Sequence, residues 1–573
     1  MGLEAAADPG GAARMNRATV LPPLTRSRAR PALRAADFVA LGLTAVALAA
    51  FGFYLLVYFV YARALFNFPF DYDQGEGFEL YDAIRLARGQ NIYLDNAVYP
   101  FYASNYPPVY RTLLALLVAL FGPHLWVGRA LTFASSLVIG ALIFIAARRQ
   151  WHQLSAGWVG WVTPVLAALS FFAANYVYHI APLARAHLPM VMFALAGLVC
   201  LERALRVPSP PTPLPAGEGR VRLEENRAWA ALGVALLMTA GFTKLQAVDA
   251  LVAGFGLLLL RRPAWFARAF AACLVFTVGA VLALDALTQG QFWINVVAAN
   301  VNEYDIALTW QTYGQWARLQ AVLIIGGVAY VAWDFARAIR ARSFQPITVW
   351  SLYFITGSAM GMLTGKWGAG PAYLIAAIAA SATCTSGVFA RLASALGASR
   401  QAWIGAGVAA AFLAQAALNV HLPTTGRFFG TVARTLGVAE ASVYPPYAYY
   451  DSAGYTQLGH LPVPSDVING WRLVERLRAV NGPVWSEEAT LARLAGKDVV
   501  TNPTQLLNLY KNDMLDTAQM LAMIEARAFG AVVFRAMFYP DDVKDAIVRN
   551  YYWAEKFEIN GFEYWLLLPI PKE

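Results

Sequence analysis

The chain has 573 residues, of which 58% are hydrophobic and only 14% charged, with a mean hydropathy of +0.47. Soluble chains of this size carry about a quarter charged residues, so the composition excludes an ordinary water-soluble protein and points to a bilayer as part of the solvent. The formal charge of +9 does not mark a nucleic-acid partner, because the arginines stand at the ends of apolar runs instead of forming one basic face. Membrane lipids and the positive-inside rule account for them.

Residues 1–36 carry six arginines, Arg14, Arg17, Arg26, Arg28, Arg30 and Arg34, and read as a basic cytoplasmic tail. The run from Phe38 to Val60 is too long for the core of a cleaved signal peptide and reads as a retained signal anchor. Further apolar runs lie at 124–147, 157–179, 187–205, 229–243, 247–260, 266–288, 317–337, 346–364, 370–390 and 402–420. With the tail inside and sides alternating, Arg148/Arg149, the segment Arg203 to Arg227, Arg261/Arg262, Arg337/Arg340/Arg342 and Arg391/Arg400 fall on the cytoplasmic face. One missed span would scatter them. The sequence therefore predicts a mainly α, polytopic helical bundle of about eleven spans over residues 37–420.

Between the spans, residues 61–123 form a first extracytoplasmic loop. Within it 109–121, entered through Pro107-Pro108, is too short to span and reads as an interfacial helix. Residues 207–228 are Pro/Gly-rich and read as a cytoplasmic linker. After residue 420 the apolar runs shorten to strand length at Pro483–Ser486, Ala531–Phe534 and Tyr564–Pro569, with amphipathic helical patterns at 466–480 and 515–529. That predicts a small extracytoplasmic α/β domain over 421–573. Cys200, Cys273 and Cys384 each lie in an apolar run and read as small hydrophobes. No cysteine or histidine spacing suits a metal, and no cofactor is called for.

Polar groups converge on the non-cytoplasmic face. The first loop carries Asp71, Asp73 and Glu76 within six residues, with Gly75 and Gly77 allowing a tight backbone path. Carboxylates this close raise one another's pKa, which prepares one as a general base; an acidic loop in water is the bland alternative. The same loop holds Tyr93, Tyr99, Tyr106 and Tyr110, suited to stacking on sugars and equally to an interfacial aromatic belt. His179, Arg185, His187, Lys244 and Lys366 reach this face from short loops far apart in sequence. Outer cations at short loops are unusual, and they suit an anionic ligand; snorkelling side chains or pairing with the acidic loop are the bland alternatives. Asn295, Asn300, Asn302, Glu303 and Asp305 add acceptors without a spacing that ties to chemistry.

Asp71-Tyr72-Asp73-Gln74-Gly75-Glu76-Gly77, Arg88 to Tyr93, Asn105 to Tyr110 and Gly128-Arg129 resemble, in order and topology, the bacterial GT-C glycosyltransferases. The likeness is to the group related to the dolichyl-phosphate-mannose protein mannosyltransferases and the lipopolysaccharide-core-type enzymes, and it spans residues 37–390. It implies a GT-C fold, a polyprenyl-phosphate sugar as donor, an inverting transfer and a first-loop carboxylate as base. By position that base is Asp73, with Glu76 or Asp71 as its neighbour. Gln74 and Gly75 interrupt what many relatives carry as an acidic pair, and Arg185-Ala186-His187 stands where many read Arg-x-Asp. Lys366, in Thr364 to Tyr373, resembles a phosphate-contacting Gly-Lys loop. The residues expected to bind substrate are Asp71, Tyr106, Arg185, His187, Lys244, Gln246, Lys366 and Tyr373, and the acceptor is an extracytoplasmic glycan, lipid or protein. A transporter or flippase, for lipid-linked sugar or a small molecule, is the rival. The compartment predicted is the plasma (inner) membrane, with the C-terminal domain periplasmic if the source is Gram-negative.

Overall fold

The computed structural model describes residues 35–152, 154, 157–205, 218–397, 400–419, 431, 435 and 462–572. The basic tail up to residue 34 and residues 207–217 of the linker lie outside them. The chain opens with α1 (Ala35–Phe66), α2 (Glu76–Ala87), α3 (Val109–Phe121) and α4 (Leu125–Trp151). Then come α5 (Val159–Ala173), α6 (Asn175–Ile180), α7 (His187–Ala204), α8 (Glu218–Thr243), α9 (Val248–Arg261) and α10 (Pro263–Leu287). The bundle finishes with α11 (Gln291–Val296), α12 (Ile306–Leu319), α13 (Ala321–Ala341), α14 (Val349–Met360), α15 (Ile375–Leu396) and α16 (Gln401–Leu418).

Each predicted apolar run is helical, and among the described residues seven helices are long and apolar enough to cross a membrane. The chain is a multi-pass membrane protein. The other four runs have identifiable reasons for falling short. α5 ends where Ala174 turns extended, and α8 is charged through its first turns from Glu218. α9 is separated from α8 by extended Lys244, and α14 passes at Met360 into a short 3-10 turn over Gly361–Gly365. The span predicted from residue 317 begins at Ala321, because buried Gln320 breaks the run to hydrogen-bond Asn419 at 2.9 Å and Gln415 at 3.0 Å.

The C-terminal domain contains α17 (Pro464–Ala479), β1 (Val484–Ser486), α18 (Ala489–Leu494), α19 (Pro503–Lys511) and α20 (Ala518–Glu525). It continues with β2 (Ala531–Phe534), α21 (Asp541–Asn550), β3 (Tyr551–Ile559) and β4 (Phe562–Pro569). The sheet order is β1-β2-β4-β3, with β1 parallel to β2 and the other pairs antiparallel. Sequence reading finds β1, β2 and β4 but not β3. The reason is physical: β3 is an edge strand with a bulge between Trp553 and Glu555, so its charged outer face and slipped register hide the alternation.

Two aromatics from the first loop lock this domain onto the bundle. Phe101 is fully buried within its core, 6.0 Å from the Trp485 ring. Phe70 packs 5.5 Å from Trp471, in space that a side chain at Gly470 would fill. Each buried ring contributes about 1.5–3 kcal/mol. The acceptor-rich loop after α10 adds polar tethers. Asn295 meets Asn96 at 2.5 Å and Gln505 at 2.8 Å, Glu303 pairs with Lys511 at 2.8 Å, and Asn300 donates to the Asn105 carbonyl at 2.9 Å. Those residues hold the structure together, which is why their spacing suggests no chemistry.

Candidate functional site

The first loop is organised by one arginine buried in an apolar helix. Arg129, on α4 and fully buried, makes a bidentate pair with Glu76 (2.9 Å from Nε and 2.7 Å from Nη2). Its remaining N–H groups donate to the Leu65, Phe68 and Phe70 carbonyls at the end of α1 and just beyond. Glu76 in turn accepts from the backbone N–H of Tyr72 at 2.9 Å and of Ala184 at 2.8 Å. One ion pair thus ties the end of α1, the acidic turn and the Arg185 loop together. Burial works to raise the Glu76 pKa, but Arg129 and these donors outweigh it and hold the carboxyl below its ordinary value. Crowding in the acidic turn therefore does not make Glu76 more basic, and its oxygens are engaged by Arg129 and backbone donors.

Asp71 is engaged in a similar way. Its oxygens accept from the backbone N–H groups of Gly77 and, at 3.2 Å, of Thr490 in the C-terminal domain. It lies outside the two cavities described next. Burial, and after it the charge of Glu76, raises its pKa.

Asp73 is different. Its Oδ2 accepts from Arg185 at 2.5 Å, whereas Oδ1 is buried with no hydrogen-bond partner. It lines a small cavity at the loop end of the bundle together with Tyr106, Arg185, His187, Lys244 and Tyr373. Six of the predicted site residues, from loops up to about 300 positions apart, thus meet in one place. Lys244 Nζ lies 3.0 Å from His187 Nε2, which must be unprotonated to accept from an ammonium, and 4.7 Å from the centre of the Tyr106 ring. Burial, then the charge of Arg185, pushes the Lys244 pKa well down. Gln246 lies against His187 and Tyr373, and its buried amide atoms lack hydrogen-bond partners of good geometry. Lys366 stands beside the cavity on the loop that supplies Gly368 and Ala369 to its wall, and burial pushes its pKa down to about 8. His179 is elsewhere, against the rings of Tyr61 and Tyr178.

The glycines of the acidic turn serve close approach. A Cβ on Gly75 would stand 1.8 Å from Arg185 Nη1, and one on Gly77 would stand 2.6 Å from Asp71 Oδ1. Gly75→Ala is expected to displace Arg185 from Asp73 and to weaken anion binding in the cavity about tenfold, the scale of a lost charge-assisted bond. Isothermal titration of the variant with inorganic phosphate or a polyprenyl phosphate checks this; unchanged affinity would mean that the guanidinium is not needed there.

Sequence reasoning missed a second buried cluster. Arg111, on α3, pairs with Glu79 at 2.6 Å and Asp82 at 2.9 Å, and Tyr102 donates to Asp82 at 2.6 Å. It also missed Glu488, which meets Arg535 at 2.5 Å inside the C-terminal domain. A signal existed for Arg111 and Arg129. Each stands within an apolar helix, where an unpaired guanidinium is too costly to bury, so each had to have an acidic partner. Among the described residues no group of three or more metal-ligating side chains occurs.

No protein-family model matches the chain, and no curated protein matches it. Among solved structures it is similar to ArnT from Cupriavidus metallidurans bound to undecaprenyl phosphate. The two are 17% identical, with 94% of this chain and all of that one covered and a TM-score of 0.52. The apo state of the same protein gives 12% identity, 93% and 100% coverage and a TM-score of 0.52. The apo oligosaccharyltransferase of Archaeoglobus fulgidus is a looser likeness, at 12% identity, 89% and 72% coverage and a TM-score of 0.43. At these identities the likeness to ArnT speaks for architecture alone. The chain has the GT-C fold.

Proposed function

We propose that this protein is a membrane glycosyltransferase that moves a sugar from a polyprenyl-phosphate donor to an extracytoplasmic glycan, lipid or protein, with inversion at the anomeric carbon. The observation that carries the reading is Asp73: one oxygen is fixed by Arg185, the other is buried and unpartnered, and the residue lines the cavity that Lys244 also lines. In this reading the acceptor hydroxyl gives its proton to Asp73 Oδ1 as its oxygen bonds to the anomeric carbon. The bond from that carbon to the phosphate oxygen breaks, and its electron pair leaves on the polyprenyl phosphate. Arg185 and Lys244, with Lys366 beside them, stabilise that growing negative charge.

A place for the lipid tail supports the same donor class. An apolar cleft of about 2030 Å³ opens between α8 and α10, lined by Val234, Met238, Phe242, Phe276 and Leu284 among others. None of the residues of α10 is buried, so that helix leans away from the bundle. Lys244 follows directly on the end of α8, two residues after Phe242 of the cleft's lining, which is in keeping with a lipid phosphate held at that end. The undecaprenyl phosphate bound by ArnT, a protein of the same fold, is in keeping with this.

The test is transfer by purified protein in lipid nanodiscs, offered a panel of polyprenyl-phosphate sugars. Release of free polyprenyl phosphate, with the product anomer inverted by NMR, is the expected outcome. A folded protein that releases none from any donor would favour a transporter, and a flux assay would follow.

The lysines give this reading a pH signature. Both Lys244 and Lys366 have lowered pKa values, Lys366 to about 8. The ammonium form of Lys366 holds phosphate, so affinity is present below that value and is lost as pH rises through it. The donor KM is expected to rise as pH passes about 8, and Lys366→Arg is expected to flatten that rise. A KM indifferent to pH around 8 would remove Lys366 from the phosphate site.

A further inference from the structure

A second, small cavity adjoins the first across Tyr106 and Arg185, which line both. Its walls come from the acidic helix α2 and from the C-terminal domain, which contributes Asn502 and Thr504. Two buried donors on its lining have no partner in the protein: Gln74 Nε2, on a residue 7% exposed, and Arg111 Nη1, on a residue 2% exposed. Buried donors left unmade are costly, so such atoms mark where a ligand's acceptors sit.

The chemistry of the lining narrows that ligand. Its charged groups are Glu79, Asp82, Arg111 and Arg185, two acids and two bases, hence a formal charge of zero. They are also largely spent on one another: Arg111 holds both Glu79 and Asp82, and Arg185 holds Asp73. What remains to meet a ligand is the Nη1 group of Arg111 together with amide, hydroxyl and ring, from Gln74, Asn105, Asn502, Thr504, Tyr106 and Phe78. Amides and hydroxyls bond alcohol groups, and rings cover the C–H faces between them. We propose that the seam between α2 and the C-terminal domain binds a neutral monosaccharide ring, and that Gln74 and Thr504 select it against charged sugars. The inference rests on the glycosyltransferase reading for its source, which is either the donor's glycosyl group or a sugar of the acceptor. The C-terminal domain then sets specificity at the site as well as covering it.

The test uses the full-length protein in nanodiscs and two conservative variants, Thr504→Val and Gln74→Glu. Four probes are titrated: bare polyprenyl phosphate, a polyprenyl-phosphate neutral hexose, a polyprenyl-phosphate aminosugar, and a methyl glycoside of a neutral hexose. Polyprenyl phosphate is expected to bind the variants as it binds wild type, which also shows that they fold. A neutral sugar ligand is expected to lose about three- to tenfold in affinity with Thr504→Val, the scale of one hydrogen bond. Gln74→Glu is expected to reverse the preference toward a polyprenyl-phosphate aminosugar. Loss confined to the glycosylated lipid identifies the donor's sugar as occupant, and loss confined to the methyl glycoside identifies the acceptor's. Affinities for both sugar ligands unchanged in both variants would overturn the proposal. If wild type binds no polyprenyl phosphate, the donor reading fails, while the methyl glycoside arm still decides the cavity.

Discussion

Asp73→Asn is expected to slow sugar transfer about a hundred- to ten-thousand-fold, the range over which a positioned general base contributes. The substitution keeps shape and leaves an amide oxygen that can accept from Arg185, so the loop should stay as it is. It removes the one carboxylate oxygen in the cavity that is buried and unengaged. The split between parameters is the diagnostic part. Neutralising Asp73 removes the counter-charge of the Arg185 guanidinium while leaving it in place, so its attraction for phosphate is undiminished and the donor KM should stay level or fall while kcat collapses. Single-turnover transfer with a saturating donor reads this directly. A variant with normal kcat would remove Asp73 from the chemistry and leave its pair with Arg185 as architecture.

The Arg129–Glu76 pair makes the largest structural prediction. Arg129→Met leaves the Glu76 carboxylate fully buried with only backbone N–H partners, a loss on the order of 3–5 kcal/mol at a site where both side chains are fully buried. Adding Glu76→Gln should recover much of it, because an amide needs no counter-charge and can still accept from Ala184. The pH dependence has a definite sign. In wild type Glu76 has a depressed pKa, so its contribution is present at neutral pH and lost as pH falls through that lowered value. Without Arg129, burial dominates and raises the Glu76 pKa, so the deficit of the single variant should be largest at neutral pH. It should shrink as pH falls toward the ordinary glutamate range. Denaturant unfolding followed by tryptophan fluorescence at several pH values reads both effects. Equal stability of the single and double variants at neutral pH would count against the pair as the keystone of the loop.

How much of the site sequence reading could find follows from what each residue needed. Arg185, Lys244 and Lys366 were legible because the positive-inside rule makes outer cations at short loops conspicuous, whatever they contact. Arg185 shows the limit of that rule. Anionic ligand and acidic loop are both open to it on paper, whereas in space the guanidinium is already on Asp73. Asp71, Asp73 and Glu76 look interchangeable in a row, and only their partners separate them. Thr490 takes Asp71, Arg129 takes Glu76, and Arg185 leaves one oxygen of Asp73 open. Each partner lies between about 50 and 420 positions away, beyond the reach of any local pattern.

By itself the sequence determined that this is a multi-pass helical membrane protein with a small α/β domain after it. It also marked the loop regions where the polar groups gather. Those properties are written in composition and in runs of about 20 residues, because hydrophobic burial in a bilayer acts on each helix separately. Tertiary structure decided the rest. Which carboxylate keeps a free oxygen, and which cations share its cavity, depend on contacts between helices. That the C-terminal domain walls a second cavity depends on Phe70 and Phe101 seating it against the first loop. Such choices turn on distances of a few ångströms between residues far apart in the chain. Ion pairs and hydrogen bonds are decided at that scale, and no periodicity encodes it.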